Sequence, residues 1–148
     1  SRNCFRGKDE AFAYDDRAKG LARDFSRKLL SSSSNQKVPS MAGESSIPPG
    51  EIYPPYWHFI VSPLMHSESL DDHKLALDIV DFSLEQGQAH LKTVFERQKD
   101  FELQHKKVID DFGRYPHRNV KLGRESTPEE LTWLGNVDEL PGWAKSQQ

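Results

Sequence analysis

The sequence predicts an all-α fold, on three observations. Apolar residues recur at helical spacing along its long segments. Residue types suited to helix ends stand at the segment boundaries. No stretch offers convincing strand alternation, a short strand at 57–61 being the one alternative. The expectation is about five helices in one domain over residues 1–135, interrupted by a long loop at 31–52 and followed by a tail at 136–148.

The first helix is expected over 15–30. Ala18, Leu21, Ala22, Phe25 and Leu29 share one face, Asp15 and Asp16 suit the positive end of the helix dipole, and Arg27 and Lys28 suit its negative end. Residues 31–50 hold seven Ser, three Pro and two Gly, too little apolar surface to offset the entropy of ordering, so a disordered connection is expected. Pro54 and Pro55 can open a second helix through Trp57, Ile60, Val61, Leu64 and Met65, which Pro63 should kink or stop. Ser69 has the position of an N-cap for a third helix through Leu75, Ile79 and Phe82, ending near Gly87. The longest helix should run from about Gln88 to Phe112 on a stripe of Leu91, Val94, Phe95, Gln98, Phe101, His105, Val108, Ile109 and Phe112. Gly113 should end it in a left-handed conformation. Thr127, Pro128, Glu129 and Glu130 combine an N-cap, a proline at the first helical position and a capping-box glutamate for a short last helix with Leu131, Trp133 and Leu134.

Composition bounds the function. Of 148 residues, 35% are hydrophobic, and Lys and Arg number 20 against 23 Asp and Glu, for a formal charge of −3. The mean hydropathy of −0.77 is low for a compact domain, while 10% aromatic residues argue against wholesale disorder. No window approaches the roughly 18 apolar residues of a membrane span. The acidic balance argues against a general nucleic-acid binder, so neither nucleic acid nor membrane is an expected partner. A lone Cys4 excludes an internal disulfide framework, and no Asn-x-Ser/Thr sequon occurs, so a cytoplasmic setting is expected. The chain opens on Ser1, Arg2, Asn3 and Arg6 with no element before them, as expected of a cut through a loop of a longer protein. A processed terminus is the alternative.

Charge is uneven: residues 1–30 carry +3 and residues 113–124 carry +4 on an otherwise acidic chain. Three polar stretches at element boundaries stand apart. They are Arg2, Asn3 and Arg6; His66 and Glu68; and Arg114, His117, Arg118 and Asn119. These nine residues form the candidate polar or anion-binding site, since guanidinium forks match carboxylates and phosphates bidentately. The competing reading has the arginines, Arg124 included, hydrogen-bonding carbonyls at helix ends and pairing with acidic groups. His66, Glu68 and His117 can be set out as a metal triad, but residues two apart on a helix do not face each other, so no metal and no cofactor is expected. His66 or His117 has the chemistry of a general base, though no nucleophile motif accompanies either. His105, on an apolar stripe, reads as a satisfied core histidine.

The run DFGRYPHRNVKLGRESTPEEL resembles the C-terminal signature of the family called domain of unknown function 924. SRNCFRGKDEAFAYD and SPLMHSESL resemble two further segments of that family, in the same order. The resemblance covers about residues 1–134 apart from the serine-rich loop. It implies a tetratricopeptide-like fold of stacked antiparallel helix pairs, with further helices upstream of residue 1, and the family's polar signature falls on the same nine residues. It implies no activity. The expectation is therefore an interaction or scaffold module with a protein or peptide partner. The alternative is a small-molecule enzyme or binder that holds an anionic ligand in the Arg/His/Glu cluster.

Overall fold

The computed structural model describes residues 15–32, 54–86 and 91–145, and all structural statements concern these. They form α1 (Asp15–Ser32), α2 (Pro54–Met65), α3 (Leu70–Gln86), α4 (Lys92–Phe112), a 3-10 turn (Pro116–Arg118), α5 (Pro128–Gly135) and α6 (Gly142–Lys145). No strand occurs among them, so the fold is all-α and residues 57–61 are helical. No helix among the described residues is long and apolar enough to cross a membrane. Arg2, Cys4 and most of the serine-rich stretch lie outside the described residues, as does Gln88, the expected start of the longest helix.

The helices start and stop where the residue chemistry asks. The Ser69 carbonyl accepts from the His73 N–H at 3.3 Å, which fixes Ser69 as the residue before the first turn of α3. Pro63 lies inside α2 without ending it. With only two residues to follow, the helix gives up one internal hydrogen bond rather than its whole second half. Gly113 closes α4 at φ 69°, its N–H bonded to the Ile109 carbonyl at 2.8 Å. A Cβ added there would meet nothing within 4 Å, so Gly113→Ala isolates backbone strain. It should lower stability by roughly 1–2 kcal/mol in urea unfolding, and an unchanged midpoint would overturn the strain account.

One core cluster joins four helices: Ala22 and Leu29 of α1, Val61 and Leu64 of α2, Ile79 and Val80 of α3, and Phe95 of α4. A second, smaller cluster of Val108, Ile109 and Tyr115 is flanked by Phe112, Trp133 and Trp143. Asp81 pairs with Lys99 at 2.6 Å while His73 meets Glu102, so α3 and α4 run antiparallel. Arg23 of α1 forks onto the carboxylate of Asp72 at 2.5 and 2.6 Å, tying α1 to the first turn of α3. Burial works against that carboxylate, but Arg23 outweighs it and holds Asp72 below the usual range.

Two expectations need correction. The buried face of α4 holds Phe95, His105, Val108 and Ile109 as expected but adds Glu102, while Val94 and Phe101 are each 50% exposed. Glu102 can take that face because it finds a buried partner in His73, which hydrophobicity alone cannot anticipate. Residues 136–148, expected as a tail, contain α6, which buries Ala144 and brings Trp143 against the rest of the fold.

Candidate functional site

The left-handed turn at Gly113 throws the chain off the end of α4, and the next ten residues fold back on the junction between α2 and α3. Tyr115, fully buried, is the hub. Its N–H donates to Glu68 Oε1 at 2.9 Å, its carbonyl accepts from Arg124 Nη2 at 3.2 Å, and its hydroxyl donates to the Met65 carbonyl at 2.5 Å. Arg124 also forks onto Glu68 at 2.7 and 3.0 Å. Burial tends to raise the Glu68 carboxyl, but Arg124 and the Tyr115 N–H outweigh it and hold it below the usual range. Arg118 lies over the Tyr115 ring, 4.3 Å from its centroid, and donates to the His66 carbonyl at 2.9 Å, a group left open by the end of α2.

A second tie joins the loop to α5. Arg114 forks onto Glu130 at 2.6 and 2.8 Å and reaches the Glu125 carbonyl at 2.9 Å. Asn119 donates to Glu130 Oε2 at 3.0 Å and to Ser126 Oγ at 3.0 Å. The same Glu130 oxygen accepts from the Thr127 N–H at 2.8 Å, and the Thr127 hydroxyl accepts from the Glu130 N–H at 3.3 Å, which completes the capping box. The Arg114 guanidinium, helped by these other donors, holds the Glu130 carboxyl down to about 2.

Behind Tyr115 lies a cluster of rings. His105 is stacked on Trp143 with centroids 3.9 Å apart and meets the His66 ring edge-on at 5.2 Å. His117 stands 5.4 Å from Tyr115 and 5.5 Å from Trp143. His105 Nδ1 donates to the Phe101 carbonyl at 2.7 Å. Its Nε2 is buried and has no hydrogen-bond partner among the described residues. Burial lowers its pKa to about 4, so the ring is neutral at pH 7.

Of the nine residues expected at the site, His66, Glu68, Arg114, His117, Arg118 and Asn119 are described and gather round Tyr115 and Glu130. Arg2, Asn3 and Arg6 lie outside the described residues. Glu68 is engaged by Arg124, Arg114 by Glu130, Asn119 by Glu130 and Ser126, and Arg118 by the His66 carbonyl. No three His, Cys, Asp or Glu side chains among the described residues are placed to hold a metal ion. The sequence reading missed Tyr115 as the hub, Glu130 as more than a cap, and the buried pair of His73 and Glu102. A glutamate seven residues after Phe95 and seven before Ile109 was the available signal for that pair.

A different surface remains open. Between the C-terminal half of α4 and α5 runs a groove of about 600 Å³. Phe112, Trp133 and Leu140 give it an apolar lining, and Lys107, Asp111, Glu129 and Glu139 are charged residues on its walls. Lys107 is held by Asp111 at 2.8 Å, and neither glutamate has a basic partner among the described residues.

No curated protein and no solved structure matches the chain. The family described as "Bacterial protein of unknown function (DUF924)" matches it over residues 1–138. With nearly the whole length matched, and with the two described polar segments drawn together on Tyr115 and Glu130, the chain belongs to the DUF924 family.

Proposed function

We propose that the protein is an interaction module that receives a polypeptide segment in the groove between α4 and α5. The observation that carries this reading is the lining of that groove: three large apolar side chains beside two glutamates, Glu129 and Glu139, that have no basic partner among the described residues. An apolar anchor seated on Phe112 and Trp133, whose rings already meet at 5.6 Å, with Lys or Arg on either side, is the complement of such a surface. The antiparallel pairing of α3 and α4 fits the stacked-helix mode of presenting a groove, and the engagement of Arg114 and Arg124 by carboxylates supports a structural role for them. The acidic walls favour neither nucleic acid nor an anionic membrane surface. A cytoplasmic setting rests on the single cysteine and the lack of a glycosylation sequon.

The test is peptide-display selection against the whole chain, followed by fluorescence titration of the selected peptides. Peptides with an apolar residue flanked by Lys or Arg should emerge. Glu129→Lys combined with Glu139→Lys should weaken them at least tenfold, because both glutamates are exposed and neither supports the core. Selected peptides indifferent to that double change would overturn the reading. A second reading, a small anionic ligand at Arg118 and the histidines around it, has for its observation the gathering of Arg118 and the His66, His105 and His117 rings round Tyr115. Binding of phosphate or citrate that Arg118→Gln abolishes would put that reading first.

A further inference from the structure

We propose that His73 and Glu102 form a proton-held lock: folding takes up one proton onto this pair, and its loss at alkaline pH weakens the grip of α3 and α4 on the α2–α3 junction. His73 Nε2 faces two oxygens, the Ser67 carbonyl at 2.9 Å and the Tyr115 hydroxyl at 3.4 Å. A carbonyl can only accept, and the Tyr115 hydroxyl hydrogen is already given to the Met65 carbonyl. Nε2 must therefore carry a hydrogen. Nδ1 lies 2.5 Å from Glu102 Oε1, a separation that also requires a hydrogen between the two atoms.

The pair thus holds one proton more than a neutral imidazole beside a carboxylate. Both side chains are wholly buried, where a bare carboxylate facing a ring lone pair is strongly disfavoured. Glu102 Oε2 is buried with no hydrogen-bond partner among the described residues, which suits the carboxylic acid better than the anion. Burial accordingly raises the Glu102 carboxyl above the usual range, though contact with His73 works the other way.

The surrounding charges do not replace the proton. From α4, Lys106 acts on Glu102 but is paired with Asp110 at 2.6 Å, and His105 is neutral. From α3, Asp72 is paired with Arg23 of α1. From the loop, Arg118 is turned to the His66 carbonyl and the Tyr115 ring, and Tyr115 itself is neutral at ordinary pH. His66, at the end of α2, meets His105 rather than the pair.

The pH dependence follows. An unfolded histidine loses its proton near pH 6.5 and an unfolded glutamate near 4.3. Above about pH 6.5 the unfolded chain therefore holds one proton fewer here than the folded chain. The folding equilibrium constant should fall by up to tenfold per pH unit until the folded pair itself gives up the proton. His105, kept neutral, has its own linkage only below about pH 6.5 and so does not contribute above that value.

Urea unfolding of the whole chain from pH 6.5 to 9 tests this, with Glu102→Gln as the comparison. The glutamine amide can donate to Nδ1 and does not titrate, so it imitates the protonated pair. The wild type should lose stability relative to the variant as pH rises, by a factor of about ten per unit at the steepest. Parallel curves would overturn the proposal. If the variant does not fold, ¹⁵N chemical shifts of the His73 ring in the wild type decide. A protonated Nε2 with a shared proton at Nδ1 is expected at pH 7, and a bare Nε2 would sink the lock.

Discussion

Tyr115→Ala should cost roughly 3–5 kcal/mol, one of the two largest losses expected from single changes in this protein. The ring lies in the smaller core cluster with Val108 and Ile109 and carries Arg118 over its face, so truncation opens a cavity and strips the guanidinium of its support. The hydroxyl leaves the Met65 carbonyl buried without its donor. The backbone of residue 115 would still offer its N–H to Glu68 and its carbonyl to Arg124, so those bonds set an upper limit on the loss. Tyr115→Phe separates the two parts: it keeps the packing and removes only the hydroxyl, for about 1–3 kcal/mol. Denaturant unfolding reads both. A Tyr115→Ala midpoint within about 1 kcal/mol of the wild type would mean that the loop over 113–124 is a passenger rather than a tie.

The hub explains how much of the molecule its sequence disclosed. Helix ends were legible because capping is local chemistry: Ser69, Gly113 and the Thr127–Glu130 box each act within four residues, and each is found at its helix end. The polar stretches were legible as places, because charged residues clustered at boundaries must project from loop ends. Their partners were not legible. Glu68 meets Arg124 across 56 residues, His73 meets Glu102 across 29, and neither separation leaves a mark on periodicity. The same long-range pair accounts for the one buried position of α4 that the apolar stripe left out: a glutamate that finds a buried histidine can take the inner face, while Val94 and Phe101 of the stripe stand half exposed. α6 escaped notice for a related reason. Four residues are too few for a periodic signal, and what holds them is the stacking of Trp143 on His105, 38 positions earlier in the chain.

Glu130 is where local and long-range chemistry meet, and its removal should rival that of Tyr115. One carboxylate, 2% exposed, closes the capping box of α5, takes the fork of Arg114 and accepts from Asn119. Glu130→Ala takes the acceptor from the Thr127 N–H and leaves the guanidinium only the Glu125 carbonyl and the Asn119 amide only Ser126, for roughly 3–5 kcal/mol. Loss of the cap alone accounts for only about 1 kcal/mol, so a measured cost of that size would show that Arg114 and Asn119 find other partners in solution. Acid titration gives an independent reading. The folded carboxyl is held down to about 2, while the unfolded one ionises near 4.3. Its stabilisation is therefore complete above about pH 4.3 and is lost as pH falls towards 2, because the unfolded chain takes up the proton first. The variant should lack that part of the acid dependence, so its deficit should be full at pH 6 and should shrink as both proteins are taken below pH 4. A deficit of constant size down to pH 2.5 would place the effect in packing, and the charge of Glu130 would then not be what binds the loop to α5.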